Sequence, residues 1–321
     1  MENKPKYKLT GYEKFITDKH PDCPIAKKDA KRKPYIAQPG LTQAVNLAIR
    51  LKRPLLLEGE AGCGKTLLAY DIACEIGLPL YSWHVRSTSK AQDGLYSYDA
   101  ILRLHDVQIA KMSSTSSSPR NPEDPNTYLK FKALGKAFKL EDCPAVILID
   151  EIDKADIDFP NDLLSILDDY KFDIPEINET VEAKHTPIII ITSNKEKGNL
   201  PAPFLRRCIY YFVEFPDKKF LQQIVDEHYK DDQKDFSKTQ QKNFVNLSNA
   251  AIDKLVEIRK KDLLHKKPGT SEFLDWLNML QSFDSKPYDS NLLETTSTIP
   301  YPELLFKLRA DWMNLGNLLQ K

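Results

Sequence analysis

The residues best suited to chemistry form a glycine-rich stretch, Gly59-Glu60-Ala61-Gly62-Cys63-Gly64-Lys65-Thr66. The stretch fits the pattern G-x-x-x-x-G-K-[ST], in which loop N–H groups and the lysine ammonium bind the phosphates of a nucleotide. The hydroxyl of Thr66 is the group that holds Mg²⁺ in this pattern. The predicted nucleotide-binding residues are Gly59, Glu60, Ala61, Gly62, Cys63, Gly64, Lys65, Thr66 and Leu67.

The segments on either side of this loop fit a strand and a helix. Residues 54–58 are a short apolar run that suits a buried parallel strand, and residues 67–77 carry apolar side chains at helical spacing. A helix dipole favours an anion at the helix N-terminus. The alternative is a glycine-rich turn before an ordinary helix, but the order strand, loop and helix favours a phosphate site.

Two carboxylates end a second buried strand. The apolar residues 145–149 lead directly into Asp150 and Glu151. Acids at the carboxyl end of a parallel strand lie at the crevice where a nucleotide's phosphates bind. We predict that Asp150 holds Mg²⁺ through water and that Glu151 is the general base for an attacking water. The alternative is that the two acids only cap the next helix.

Further candidate residues lie at the ends of other predicted elements. A third apolar strand at residues 187–192 precedes Asn194, whose amide suits a hydrogen bond to the attacking water or the γ-phosphate. Arg206 and Arg207 end a short helix before a last strand at residues 210–215. Tyr35 and Ile36 precede the first helix, at residues 41–52. They suit an adenine pocket, and simple packing is the alternative.

Composition limits the class of protein. The 321 residues are 41% hydrophobic and 29% charged, which predicts two domains and a substantial core. Lys and Arg total 46 and Asp and Glu total 46, so no overall positive field favours nucleic acid. The five scattered cysteines favour reduced thiols in a cytoplasmic protein, with neither zinc nor disulfides. No leader or membrane span is expected.

The predicted fold class is α/β, with a parallel sheet flanked by helices and followed by a smaller all-α lid domain. We expect an extended segment at residues 1–35, the nucleotide-binding domain at 36–216 and the lid at 217–321. An insertion at about residues 86–130 includes a Ser- and Pro-rich loop at 113–127 and a helix at 129–138. A hairpin is predicted at 171–183, and lid helices near 218–230, 249–264, 271–282 and 302–320.

A basic run follows the second lid helix. It consists of Arg259, Lys260, Lys261, Lys266 and Lys267. Because the total charge is neutral, we expect a solvated helix face there rather than a nucleic-acid site.

These motifs in this order resemble the P-loop core of the AAA+ ATPases, over about residues 36–285. Within that family the sequence is similar to the MoxR branch, through residues 90–96, the hairpin residues 172–176 and the lid-helix residues 270–277. The resemblance implies ATP and Mg²⁺ as cofactors, catalytic roles for Lys65 and Glu151, and Asn194 as sensor 1.

The resemblance also implies a homo-oligomeric ring, usually hexameric. An arginine finger reaches the neighbouring subunit's nucleotide, with Arg207 as our choice and Arg206 as the alternate. MoxR-like proteins usually carry a sensor-2 arginine at the start of the lid helix, where this chain has Glu272 or Phe273. The candidate substitutes are Lys266 and Lys267.

By this resemblance the chain is an Mg²⁺-dependent ATPase that remodels, assembles or matures a protein client, often with a von Willebrand factor A domain partner. The insertion and the hairpin at 171–183 are the expected client-facing parts. One alternative is an ATP-dependent switch with slow turnover, for which the missing sensor-2 arginine argues. A DNA-directed motor is a further alternative, against which the neutral charge speaks.

Overall fold

The structure, a computed structural model, describes Tyr7 and residues 20–24, 35–112, 120–194, 200–261, 264–296 and 298–319. Most of the predicted extended segment at 1–35 and the first part of the predicted loop at 113–127 lie outside the described residues. All five cysteines lie within the described ranges and are free thiols. Within the described ranges, no helix is both long enough and apolar enough to cross a membrane.

Strands form at the predicted positions 54–58, 145–149, 187–192 and 210–215, in the predicted hairpin and in further segments of the described chain. They are β1 (Leu55–Gly59), β2 (Leu80–His84), β3 (Tyr96–Tyr98), β4 (Leu129–Phe131), β5 (Val146–Asp150), β6 (Lys171–Ile174), β7 (Glu179–Glu182), β8 (Ile188–Ser193) and β9 (Ile209–Val213). In the part of the chain that the structure describes, five of them form one sheet in the order β2-β5-β8-β1-β9. The pairs β2–β5, β5–β8 and β1–β8 are parallel. Every residue of β5 and β8 is buried, which explains their continuous apolar sequences.

The helices are α1 (Pro39–Leu51), α2 (Lys65–Ile76), α3 (Ala100–Met112), α4 (Ala133–Phe138), α5 (Phe159–Asp169), α6 (Ala202–Arg207), α7 (Lys218–His228), α8 (Lys238–Lys260), α9 (Thr270–Ser282), α10 (Ser290–Thr295), α11 (Pro302–Leu305) and α12 (Arg309–Leu319). The parallel sheet with flanking helices and a helical C-terminal region confirms the predicted fold class.

The described residues divide into two compact units. The first takes Tyr7 and the described residues within 20–24, 38–58 and 68–211, and the second takes those within 35–37, 59–67 and 212–319. The glycine-rich loop therefore groups with the helical C-terminal part of the chain. The domain boundary that the sequence suggests, between residues 216 and 217, stays a prediction.

Each unit has its own apolar core. The first centres on the sheet, where Ile147, Ile149 and Ile191 are fully buried. The second packs α7, α8 and α9 around the buried rings of Phe244, Phe273 and Trp276. Trp276 also donates a hydrogen bond from its indole N–H to the Pro300 carbonyl at 2.7 Å. A buried indole N–H needs such a partner, so this bond fixes the ring in the core.

Three helix predictions were wrong in their bounds. Residues 129–138 form a strand and then a helix, because β4 pairs antiparallel with β3 and this long-range pairing overrides helical propensity. The helix predicted at 249–264 begins at Lys238, with Ser237 and Gln240 forming a capping box that the sequence contained. The helix predicted at 302–320 is divided into α11 and α12.

The hairpin prediction is confirmed. Strands β6 and β7 pair antiparallel through residues 171–174 and 179–182. Phe172 and Ile174 point inward and are buried, and the Phe172 ring stacks on Tyr96 with centroids 6.0 Å apart. Alternating burial along β6 thus anchors the hairpin to the first unit.

Candidate nucleotide-binding site

The glycine-rich loop between β1 and α2 has the backbone shape that its glycines predict. Gly62 has φ +79° and Gly64 has φ +83°, in the left-handed region where a side chain is strained. A β-carbon on Gly62 would also lie 2.9 Å from Glu272 Oε2. These two positions therefore require glycine. Loops that present backbone N–H groups to an anion have the same requirement.

Lys65 begins α2 and is buried, with 6% of its surface exposed. Its ammonium donates to the carbonyl oxygens of Gly59 and Glu60, both at 2.7 Å. The positive charge of Lys65 thus lies at the start of the loop, where it could bind a phosphate. Thr66 and Leu67 follow in the first turn of α2 and are half-buried. These donors fit a nucleotide phosphate, and the Mg²⁺ role of Thr66 stays a prediction.

Tyr35 packs against the same loop. Its ring atom Cε2 would lie 3.1 Å from a β-carbon on Gly64. Ile36 is half-buried beside it in the chain. The structure therefore places Tyr35 at the phosphate loop, and the adenine contact of Tyr35 and Ile36 stays a prediction.

Arg259, at the end of α8, is a residue of this site that the sequence analysis missed. Its side chain is 9% exposed, and Nη2 lies 2.6 Å from Glu60 Oε2. Nη1 donates to the Pro268 carbonyl at 2.5 Å, and the guanidinium carbon lies 3.5 Å from the centre of the Phe215 ring. The expectation of a solvated face was wrong for Arg259. Glu60 is 199 positions away, so no local pattern could reveal the pair.

The start of α9 also packs on the loop. A β-carbon on Gly269 would lie 2.8 Å from the Ala61 carbonyl oxygen and from Glu272 Oε2. Glu272 Oε2 is buried and has no hydrogen-bond partner among the described residues. The place where a sensor-2 arginine is expected therefore holds a carboxylate beside Gly62.

The two lysines proposed as sensor-2 substitutes lie just before α9. Lys266 is exposed, and its backbone N–H donates to Asp311 Oδ2 at 3.2 Å. Lys267 is half-buried. Their part in nucleotide sensing stays a prediction.

Cys63 lies in the loop with its thiol protonated at neutral pH. Burial raises the pKa of the Cys63 thiol, while the nearby Lys65 ammonium acts in the opposite direction. A neutral thiol adds no negative charge next to bound phosphates. The residue is therefore compatible with an anion site.

Asp150, at the end of β5, is held by two neighbouring strands in the first unit. It is buried, and its Oδ1 accepts a hydrogen bond from the Thr192 hydroxyl at 2.6 Å. Its Oδ2 lies 3.1 Å from Nδ1 of His84, the last residue of β2. Both carboxylate oxygens are thus oriented by side chains that the sequence analysis did not single out. Both partners lie at or next to the end of a parallel strand. Their positions at predicted strand ends could therefore have indicated them from the sequence.

Glu151 adopts a left-handed backbone conformation, with φ 60° and ψ 50°. Its N–H donates to the Thr192 hydroxyl at 2.8 Å, so the strained conformation is secured by β8. Such a conformation costs about 1–3 kcal/mol and persists where the surroundings enforce it, commonly at functional sites. Lys52, Tyr170, Asn178 and Tyr301 also have positive φ, so the conformation of Glu151 supports a functional role only together with its side-chain contacts.

The side chain of Glu151 lies between an amide and an ammonium. Oε1 accepts from Asn194 Nδ2 at 3.3 Å, and Oε2 lies 2.5 Å from Lys154 Nζ. Asn194 in turn donates its backbone N–H to Asp153 Oδ1 at 3.1 Å. The structure therefore brings Glu151 and Asn194 together and adds Lys154, which the sequence analysis missed. Their catalytic roles stay predictions.

The two arginines at the end of α6 differ in their surroundings. Arg207 Nε lies 2.9 Å from Asp168 Oδ2 of α5, and both side chains are about half exposed. Arg206 is exposed and makes no ion pair with any described residue. The finger role of either arginine stays a prediction.

Comparisons with known proteins agree with this architecture. The family profile described as "ATPase family associated with various cellular activities (AAA)" matches residues 55–217. The ATP-dependent zinc metalloprotease FtsH of Nitrosococcus oceani is 25% identical over 204 residues, which are 61% of this chain and 26% of FtsH. The chain thus spans about a quarter of the length of this curated relative.

Two kinds of solved structure are also similar. The RuvB Holliday junction branch migration motor of Thermotoga maritima has a TM-score of 0.46 at 16% identity, covering 82% of this chain and 71% of RuvB. NtrX of Brucella abortus has a TM-score of 0.48 at 12% identity, covering 92% of this chain and 64% of NtrX. Since the AAA profile spans about half of the residues, from β1 to the end of the last strand, the chain belongs to the AAA family of ATPases.

Proposed function

We propose that this chain is an Mg²⁺-dependent ATPase of the MoxR branch, which works as a homo-oligomeric ring on a protein client. Members of the AAA family bind ATP, usually with Mg²⁺, and usually form rings. The observation that carries the proposal is the geometry of Glu151. Strained backbone conformations cluster at functional sites, and the carboxylate of Glu151 is held by an asparagine amide, which makes it our candidate for the general base.

In the proposed reaction the loop N–H groups and Lys65 bind the β- and γ-phosphates of ATP. Thr66 and, through water, Asp150 would hold Mg²⁺, which neutralises charge on the phosphates. The Thr192 hydroxyl and His84 keep the carboxylate of Asp150 in one orientation. The carboxylate of Asp150 then needs little reorientation when the nucleotide arrives, which favours catalysis by positioning.

Glu151 takes the proton of the attacking water in this proposal. Asn194 Nδ2 already donates to Oε1, so it fixes the direction in which the carboxylate faces. Lys154 neutralises Oε2 in the described state. The attacking water must therefore share the carboxylate of Glu151 with Asn194 and Lys154, or displace one of them. The rate of hydrolysis then depends on how these two side chains contact Glu151.

The helical part of the chain contacts the loop through Arg259 rather than through a sensor-2 arginine. Glu272 occupies the expected sensor-2 place with a carboxylate, which does not attract a γ-phosphate. The guanidinium of Arg259 instead forms an ion pair with Glu60 in the loop. It also donates a hydrogen bond to the Pro268 carbonyl and stacks on the Phe215 ring. We propose that the Arg259–Glu60 ion pair communicates to α8 whether a nucleotide is bound at the loop.

The ring, its client and its location complete the proposal. Arg207 is the first choice for the finger and must then leave its pair with Asp168, whereas Arg206 needs no such change. The hexameric state, the remodelling or cofactor maturation of a client and a von Willebrand factor A domain partner follow the MoxR resemblance. A cytoplasmic location fits the free cysteines.

The test is steady-state ATP hydrolysis measured against protein concentration. The variants are Glu151→Gln, Arg207→Ala and Arg206→Ala, with Glu182→Gln as a control because Glu182 is an exposed glutamate on β7. Specific activity should rise with concentration if active sites are shared between subunits. Glu151→Gln should lower kcat by roughly 10²- to 10⁴-fold and leave ATP binding intact, while the control should match the unaltered protein.

Two outcomes would contradict this proposal. If the unaltered protein binds ATP but scarcely hydrolyses it at any concentration, an ATP-dependent switch replaces the motor. If hydrolysis requires DNA and the DNA affinity falls steeply with salt, a DNA-directed motor replaces it. Loss of activity in only one arginine variant identifies the finger.

A further inference from the structure

A cavity of about 600 Å³ lies beside the edge of the sheet in the first unit. Its lining combines residues 80–82 of β2 with residues 130–133 and 136 of β4 and α4. The lining contains no residue of the glycine-rich loop and none of the acids at the end of β5. It is therefore a separate feature from the proposed ATPase site.

Three lysines converge on this cavity because of local backbone geometry. Lys130 and Lys132 are two positions apart around the end of an extended strand, so their side chains leave the same side. Lys136 lies one helical turn further, and its N–H donates to the Lys132 carbonyl at 2.8 Å. Residues four apart on a helix share a face. All three lysines line the same cavity.

Among the described residues, no side chain pairs with the lysines of the cavity. Lys130, Lys132 and Lys136 are exposed, and within the described ranges none of them forms an ion pair or a side-chain hydrogen bond. The nearby carboxylate of Asp22 accepts instead from the Tyr81 hydroxyl at 2.8 Å. Three like charges repel one another, and a bound anion relieves that repulsion.

Many other lysines of the described chain do have carboxylate partners. They are Lys154, Lys171, Lys218, Lys230, Lys234, Lys254 and Lys261. Within the described ranges of a chain whose charges sum to zero, the three lysines of the cavity form a local concentration of positive charge without a carboxylate partner.

The remaining lining distinguishes between kinds of anion. Leu80, Tyr81 and Phe131 also line the cavity, so a ligand there meets apolar as well as charged residues. Single-stranded nucleic acid would instead need free aromatic faces for its bases and a long basic track. One face of Phe131 is already covered by Lys139 Nζ at 4.4 Å from the ring centre.

We propose that this cavity is a docking site for an acidic peptide segment of a partner protein, whose carboxylates pair with Lys130, Lys132 and Lys136. An apolar side chain of the segment rests against Phe131 and Leu80. The proposal goes beyond ATP hydrolysis and does not depend on it.

The test is fluorescence anisotropy of a short fluorescein-labelled peptide of glutamate and leucine, titrated with the full chain at low and moderate salt. The triple variant Lys130→Gln, Lys132→Gln and Lys136→Gln removes the charges and keeps most of the side-chain length. We expect its affinity to fall by at least about tenfold, because three charge pairs are lost. A matched control replaces Lys219, Lys238 and Lys242, which are exposed and lie outside the cavity.

The control should bind the peptide within about twofold of the unaltered chain. Equal weakening in both triple variants, or no binding by the unaltered chain at low salt, overturns the proposal. So does tighter binding of an oligothymidine that is lost in the cavity variant, because the cavity then takes nucleic acid. ATP hydrolysis by the cavity variant should be unchanged, so this test and the ATPase test fail independently.

Discussion

Replacing Arg259 by alanine should destabilise the second unit by about 2–4 kcal/mol. The guanidinium donates a charge-assisted hydrogen bond to the Pro268 carbonyl, worth about 1.5–3 kcal/mol. Stacking on Phe215 adds about 0.5–2 kcal/mol. The Glu60 partner is half exposed, so water screens that ion pair to about 1 kcal/mol or less. These terms overlap, because one side chain makes all three contacts.

The ranking of variants follows from the same contacts. Arg259→Lys keeps a charge but loses the planar fork that reaches Glu60 and Pro268 together, so it should lose about 1–3 kcal/mol. Glu60→Gln removes only the screened charge and should cost less than about 1 kcal/mol. Lys260→Ala is the control, since Lys260 is the next residue of α8 and is exposed.

Urea denaturation measures these differences. Trp276 is fully buried in the core of the second unit, so its fluorescence reports that unit once Trp83 and Trp312 are replaced by phenylalanine in every variant. ATP affinity of Arg259→Ala should also fall, because Glu60 belongs to the loop. The reasoning is refuted if Arg259→Ala costs less than about 1 kcal/mol, or if Glu60→Gln costs as much as Arg259→Ala.

Two further predictions concern the first unit. Thr192→Val leaves Asp150 Oδ1 without its donor and the Glu151 N–H without its acceptor, so it should cost about 2–4 kcal/mol in urea denaturation and reduce ATP hydrolysis, whereas Thr192→Ser should do neither. Hydrogen bonds from Arg120 hold the pKa of Asp106 below its ordinary value, with Tyr128 contributing, so Asp106 stabilises the fold at neutral pH. Asp106→Asn should therefore lower Tm at pH 7, and this difference should shrink as pH falls below about 4 and through the lowered pKa; a difference that is constant with pH would contradict the assignment.

Much of the candidate nucleotide site was predictable because its residues are neighbours in sequence. The loop from Gly59 to Thr66 is continuous, and left-handed φ at Gly62 and Gly64 is what that pattern requires. Asp150 and Asn194 are each visible as the polar residue after an apolar strand. Parallel pairing of β5 with β8 then brings such strand ends to the same edge of a sheet.

Residues that act through long-range contacts were not predictable in this way. Arg259 looked like part of a solvated basic run, and only tertiary packing shows that it is buried against Glu60 and Phe215. Residues 129–138 looked helical until β4 was paired with β3. In both cases a contact with a segment distant in sequence determines which conformation is most stable. Helical periodicity carries no information about that distant segment.

The sequence by itself determined the α/β fold class, the phosphate loop and the acids that end β5, because each depends on a local spacing of residue types. The tertiary structure alone decided that Thr192 and His84 orient Asp150, that Lys154 reaches Glu151 and that three lysines share one cavity. Such contacts depend on the order of the strands in the sheet and on the conformations of the side chains. Those are properties of the packed chain, set by burial and pairing between distant segments.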